Sequence, residues 1–327
     1  MTRKQAALLW LIGGLWPLWQ LVDHLRDPSV AYDFDIFWAA AQQPFANLYH
    51  FIDAPKGFAY PPPAFLFVWP FGQIARPYAD IAWALVSAGA FMAAAAPYMK
   101  AARLPPVLAV LTPSALLCLS MGQTSLFFGA LWLTAFRPRW WAVPLLALKP
   151  TSGFLAILSL RTKRDWAKAI ALGLTILGAS LVLLGPAVWQ DYFAYSLRQT
   201  AHLEGNPAWV WLGVTPFMAY GWLGWLSFGT AALLLLARRV NAFTATTATM
   251  LVTPYALTYD LTVVSLGFGL ALVCHWPQLG WSRRAPLLGG WMMAGLIGKW
   301  LMPPLLLWGL WALVSLPDEP GGEPHAI

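Results

Sequence analysis

Two charges stand inside long apolar runs, and their chemistry demands an explanation first. Lys149 lies between the apolar stretches 140–148 and 153–160, with no acidic residue nearby in sequence. An ammonium inside an apolar span is costly and by default marks a functional site, unless it snorkels to an interface. Pro150 follows directly and breaks the helix, which lets the ammonium face a polar cavity, where it would suit a phosphate. Asp260, in Thr253-Pro254-Tyr255-Ala256-Leu257-Thr258-Tyr259-Asp260-Leu261, is an acid flanked by apolar residues next to another Pro break. It needs a partner, and Lys149, Arg198 and His202 are the candidates. Lys299 is a third such charge, but Pro303 and Pro304 follow soon after, and snorkelling explains it as well as function does.

A different constellation, Asp33-Phe34-Asp35, follows the first apolar run. A carboxylate at the membrane surface can take a proton from a hydroxyl as a general base. Asp33 can equally be the N-cap of a short helix whose apolar stripe is Ile36, Phe37, Ala40 and Ala41. On a helix, side chains at i and i+2 point apart, whereas on an extended segment they share a face. A metal-binding pair therefore requires an extended chain here. Tyr60-Pro61-Pro62 reads as a rigid start to a helix, Pro being favoured in the first turn. Met121-Gly122-Gln123-Thr124 reads as a tight turn between apolar runs, with Gln123 at a water interface.

The elements that must position these residues follow from composition. Of 327 residues, 59% are hydrophobic and only 10% charged. A soluble domain carries roughly a quarter charged residues, so a soluble enzyme, a disordered chain and a single-anchor protein are all excluded. The apolar stretches are continuous and Leu/Ala-rich rather than alternating, which argues against a β-barrel. The 21 Trp suit the two membrane–water interfaces. The 27 Pro and 26 Gly suit helices whose freed backbone groups are satisfied by neighbours or a cavity. The net charge of +7 does not indicate nucleic acid. Its carriers cluster between apolar runs (Arg3/Lys4, Lys100/Arg103, Arg137/Arg139, Arg161/Lys163/Arg164/Lys168, Arg238/Arg239, Arg283/Arg284), as the positive-inside bias requires of cytoplasmic loops. Cys118 and Cys274 both sit in apolar runs and have no metal or redox spacing.

The expected architecture is an all-α polytopic membrane protein of about 10–13 transmembrane or re-entrant helices, forming one domain over residues 1–316. The first run, 6–22, is an uncleaved span with its N-terminus in the cytoplasm, because no small-residue cleavage site follows it. Residues 23–60 form an acidic outer loop with helical texture, holding Asp23, Asp27, Asp33, Asp35 and Asp53. A second outer loop, 185–209, contains Arg198 and His202, and the site should lie between the two loops. The expected spans run roughly 62–75, 78–99, 104–119, 124–136, 140–160, 168–184, 209–222, 223–237, 242–258, 259–275, 285–299 and 301–316. Counting both 62–75 and 78–99 as passes would put Lys100 and Arg103 outside, so either that pair is re-entrant or those charges are misplaced. Residues 317–327 form a Pro/Gly-rich acidic tail, expected to be disordered.

Taken in order, these motifs resemble glycosyltransferase family 87, membrane enzymes of the GT-C class. The resemblance rests on Asp33-Phe34-Asp35-Ile36-Phe37-Trp38-Ala39-Ala40, Tyr60-Pro61-Pro62, Gly122-Gln123, Leu148-Lys149-Pro150 and Thr253-Pro254-Tyr255…Tyr259-Asp260-Leu261. It implies a GT-C type bundle and inverting transfer of a sugar from a polyprenyl-phosphate donor to a lipid-linked or glycan acceptor. It places the reaction on the outer, periplasmic face of the inner (plasma) membrane. An Asp of the first outer loop, Asp33 by position, would be the general base, with Asp35 a second acid beside it. Tyr60, Gln123, Lys149, Arg198, His202, Tyr255, Tyr259 and Asp260 are the expected substrate-binding residues. No cofactor and no metal ligand set is expected, although a divalent metal stays open. The chain has Phe37 where the family usually has Tyr, and Tyr259-Asp260 where its mannosyltransferases carry His. A transporter or flippase of a lipid-linked sugar is the other class that intramembrane Lys149 and Asp260 fit. Against it stands the lack of a visible internal repeat.

Overall fold

The computed structural model describes residues 1–26, 33–43, 48–49, 58, 60–137, 139–203, 213–295 and 300–316. The described residues form helices, with one isolated bridge between Gly213 and Leu257. The helices are α1 (Arg3–Arg26), α2 (Asp33–Ala41), α3 (Pro62–Gly72), α4 (Arg76–Ala101), α5 (Pro113–Met121), α6 (Ser125–Ala135), α7 (Ala142–Leu146), α8 (Pro150–Gly153), α9 (Lys163–Leu184), α10 (Pro186–Leu203), α11 (Pro216–Leu236), α12 (Ala242–Val252), α13 (Thr262–His275), α14 (Trp281–Met293) and α15 (Met302–Val314). Short 3-10 turns at Pro106–Leu111, Phe154–Ser159 and Thr258–Leu261 extend α5, α8 and α13. The protein is therefore an all-α polytopic membrane protein. Four stretches, α4, α9, α11 and Thr258–Gln278, are long and apolar enough to cross a bilayer by length and composition.

What each long helix exposes is as telling as what it buries. Val182 on α9 is 85% exposed and Leu223 on α11 is 81% exposed. Together with the other outward apolar side chains of these helices, they form a face suited to lipid. Thr258–Gln278, by contrast, is 89% buried and forms the axis on which the others pack. Phe268 of α13 fits into a notch where Gly290 of α14 and Gly309 of α15 carry no side chain.

The bundle has two chemically distinct ends. At one, Tyr98 donates to the Leu133 carbonyl (3.4 Å), Trp132 to Ala242 (2.7 Å) and Arg239 to Leu316 (2.9 Å). There Lys168 also lies over Trp140 and Arg283 over Trp311. These contacts gather the basic clusters at a common end. At the other end Asp33 meets Gln123, Tyr60 meets Thr124, and Ser114 bonds the Thr258 carbonyl.

The short α3 bears directly on the crossing problem around 62–103. Tyr60, just before α3, sits at the site end, and beyond its C-terminus the Gly72 and Ile74 carbonyls accept from Gln42 and Trp38, in and beside α2. Both ends of α3 therefore lie beside α2, and at 11 residues α3 is too short to cross a bilayer by itself. α4 then starts at the site end and carries Lys100 and Arg103 to the basic end. One other expected span is corrected. Residues 140–160 break into α7, α8 and a 3-10 turn, the break between α7 and α8 falling just before Pro150, which cannot continue the ladder. The expected pair 209–222 and 223–237 corresponds to α11, in which Gly221, with φ 67° and ψ −158°, breaks the helical geometry close to the expected boundary, while 209–212 lie outside the described residues. Residues 186–203 of the second outer loop are helical. The tail at 317–327 and Lys299 lie outside the described residues.

Candidate active site

Three backbone breaks deliver the polar groups. The first ends α5, where Gly122 adopts the left-handed conformation at φ 64°, which costs a residue with a Cβ. The Gly122 and Gln123 amides close onto the Leu119 and Cys118 carbonyls, and Trp83 donates to the Gly122 carbonyl at 2.9 Å. This turn aims Gln123 at α2 and places Thr124 and Ser125 at the head of α6. The second break is Lys149, non-helical at φ −134° and ψ 77° between α7 and α8. The third is the 3-10 turn that carries Asp260, whose Oδ2 accepts from the Leu257 amide at 2.9 Å.

The breaks converge. Lys149 Nζ donates to Asp260 Oδ1 (2.5 Å) and to Ser125 Oγ (2.9 Å), while Ser125 Oγ also donates to Asp260 Oδ1 (2.6 Å). Lys149 is 8% exposed and Asp260 7%, so the ion pair is buried and each charge compensates the other. The rings of Tyr60, Phe128 and Tyr259 face the ammonium at 5.7–5.9 Å. Lys149 is thus a directional donor in an aromatic cage rather than a free cation. Tyr60 is fixed by its hydroxyl on Thr124 (2.6 Å) and by Tyr49, which donates to the Tyr60 carbonyl (2.7 Å). Tyr255 and Tyr259 share a hydrogen bond, and both lie within electrostatic reach of Asp33, Asp260 and Tyr60.

Asp33 opens α2, and its Oδ2 accepts from Gln123 Nε2 at 2.5 Å. The helix buries Phe34, Phe37, Ala40 and Ala41. The expected stripe beginning at Ile36 is therefore corrected by starting at Phe34, and Asp33 is the first helical residue rather than an N-cap. Asp35 leaves the site. It ion-pairs with Arg76 at the start of α4, because helical i and i+2 positions diverge. The two carboxylates consequently do not form a pair that shares a ligand.

A cavity of about 440 Å³ begins at Tyr60 and Thr124 and extends toward the basic end. Phe37, Ala64, Phe67, Ala90, Ala94, Phe128, Leu131 and Leu148 line its length, and Thr134, Arg137 and Trp141 close it. A wider apolar groove of about 580 Å³ lies between α11 and α15, away from every polar residue of the site.

Of the residues expected from sequence, Asp33, Tyr60, Gln123, Lys149, Tyr255, Tyr259 and Asp260 come together here. Asp35 does not. Arg198 and His202 lie on α10, but their side chains are outside the described residues. Sequence reasoning missed Ser125, which bonds both Lys149 and Asp260, and Arg76. A hydroxyl pair, Thr124-Ser125, directly after a Gly-Gln turn was the available sign of the first. An arginine opening a span on the acidic side was the sign of the second.

No match to the chain was found among curated proteins or among solved structures. A family model does match. It takes in Tyr60, Gln123 and Lys149, while Asp33 and the late Tyr255–Asp260 motif lie outside the matched stretch and join the site through the fold. The matching model is that of glycosyltransferase family 87, over residues 58–213, so the resemblance carried by the ordered motifs is shown and the chain is similar to the membrane glycosyltransferases of that family.

Proposed function

We propose that this protein is a glycosyltransferase that moves a sugar from a polyprenyl-phosphate donor to a lipid-linked or glycan acceptor hydroxyl, with inversion at the anomeric carbon. The observation that carries the reading is the apolar cavity, whose lining includes Thr124 and Tyr60, the ring that faces the Lys149 ammonium. An isoprenoid tail fits such a lining, and its phosphate then reaches the ammonium cage. The positive-inside bias assigns the basic end to the cytoplasm and the site end to the outer, periplasmic face.

In this mechanism the acceptor oxygen attacks the anomeric carbon while Asp33 takes its proton. The bond from that carbon to the phosphate oxygen breaks, and the electron pair leaves on polyprenyl phosphate. Lys149, oriented by Asp260 and Ser125, donates to the phosphate as its charge grows. The hydroxyls of Tyr255 and Tyr259 orient the sugar. Gln123 holds the Asp33 carboxylate by donating to its Oδ2. A donor held by its lipid needs no Gly-rich nucleotide loop.

The test is purified protein incubated with polyprenyl-phosphate sugars, with released polyprenyl phosphate as the readout. Release by the wild type, lost by about 10²–10⁴-fold in Asp33→Asn with donor binding retained, is expected. Movement of intact donor between leaflets without release would instead make the protein a transporter. Full turnover in Asp33→Asn alongside an inactive Asp35→Asn would transfer the role of base to Asp35.

A further inference from the structure

An ion cluster beside the site has no part in the chemistry just described. Arg76 pairs with Asp35 and, through Nε, with Asp80 Oδ1 at 3.3 Å. Its guanidinium also lies over the rings of Phe34 (5.8 Å) and Trp38 (5.6 Å). Apart from Asp80, every one of these partners belongs to α2, the nine-residue helix that opens with Asp33. So short a helix is unstable alone, and its place must be set from outside.

Its apolar face supplies part of that: Phe34 and Phe37 are buried, and Trp38 and Gln42 bond the Ile74 and Gly72 carbonyls. The geometry of the opening turn supplies the rest. Residues 33 and 35 are about 200° apart around a helix of 3.6 residues per turn. Drawing Asp35 onto Arg76 therefore turns Asp33 to the opposite side, where Gln123 stands. We infer that Arg76 is a positioning residue: with Asp35 it latches the rotation of α2 and so holds the Asp33 carboxylate on Gln123. The inference rests on the proposed role of Asp33, and it is specific to arginine. A guanidinium can grip a carboxylate and stack on Phe34 and Trp38 together, whereas an ammonium is a compact point charge on a flexible stem. The side chains of the pair are 34% and 44% exposed, so added salt should loosen the latch.

The test separates position from catalysis. Asp33→Cys and Gln123→Cys are introduced together in a Cys118→Ser/Cys274→Ser background, in the full chain in detergent. The rate of disulfide closure under mild oxidation then reports whether residue 33 stays on residue 123. Adding Arg76→Ala is expected to slow closure about tenfold, with Arg76→Lys intermediate. About 1 M salt should slow the parent pair in the same direction. In the otherwise native enzyme, Arg76→Ala should lower kcat by about 10- to 100-fold with donor KM unchanged, since a displacement near 1 Å costs about that much, and Arg76→Lys should restore part of it. Closure at the parent rate in Arg76→Ala overturns the latch. Slowed closure with unchanged kcat keeps the latch and refutes Asp33 as the base. If Arg76→Ala fails to fold, Asp35→Asn carries the same comparison from the other partner.

Discussion

Breaking the buried ion pair should give asymmetric losses, because its two members do different amounts of work. Removing the Lys149 ammonium (Lys149→Met) leaves the Asp260 carboxylate buried, still bonded to Ser125 and to the Leu257 amide. Leaving one charge of such a pair uncompensated costs about 3–5 kcal/mol. Removing the carboxylate (Asp260→Leu) strands the ammonium on Ser125 and three aromatic rings, and it also orphans the Leu257 amide that begins the 3-10 turn. That orphaned buried amide adds about 1–3 kcal/mol, so Asp260→Leu should be the less stable variant by roughly this amount. The double variant should recover most of the single losses, since two apolar side chains of similar size can replace a buried pair with little net cost. Unfolding of the purified protein in detergent, followed by tryptophan fluorescence, would give the order wild type, double variant, Lys149→Met, Asp260→Leu. The double variant should nevertheless remain inactive, because the group facing the donor phosphate is gone. Additive single losses would refute the coupling. A double variant with wild-type turnover would refute a role for Lys149 in the transfer.

Two further expectations are simpler. Ala90→Phe narrows the apolar cavity without touching a polar residue of the site; KM should rise for long-chain polyprenyl donors more than for short-chain ones, with kcat little changed, as read by a donor-length series in the release assay. Gly122→Ala forces a side chain into φ 64°, at a cost of about 1–2 kcal/mol, and moves Gln123. Its thermal stability should drop modestly while kcat falls by about tenfold or more.

Lys149 and Asp260 could be read from sequence because a charge in an apolar run is expensive enough to be rare. Their pairing across 111 positions follows from that same expense, since each must find a partner. Ser125 could not be read in this way. Hydroxyls in helices commonly bond their own backbone, and only the convergence of three breaks makes this one a ligand of both charges. The choice between Asp33 and Asp35 was equally hidden. It depends on whether residues 33–35 are helical, and on a stripe whose register is set by Phe34 packing on Trp83 at 5.1 Å. The shortness of α3 was half legible: the positions of Lys100 and Arg103 argued against counting both 62–75 and 78–99 as passes. The cavity was not legible at all, because its lining is drawn from α2, α3, α4, α6, α7 and the residues beside them.

The site falls where the helices are shortest. α5 has 9 residues, α6 11 and α7 only 5, so at 1.5 Å per residue none approaches the ~30 Å of a bilayer core. In lipid such short pieces would leave backbone groups without partners. They are tolerated here because the irregular segments around Gly122, Lys149 and Asp260 are enclosed by longer helices. The same enclosure gives Lys149 and Asp260 their value, since a pair at 2.5 Å facing water would be screened and mobile. A continuous helix through residues 140–160 would therefore do more than straighten a span. It would carry Lys149 off its 2.9 Å contact with Ser125 and turn it toward lipid, where it could be neither paired nor useful. Pro150 prevents this, and the proline that makes the segment look like a poor membrane helix is what makes it a site.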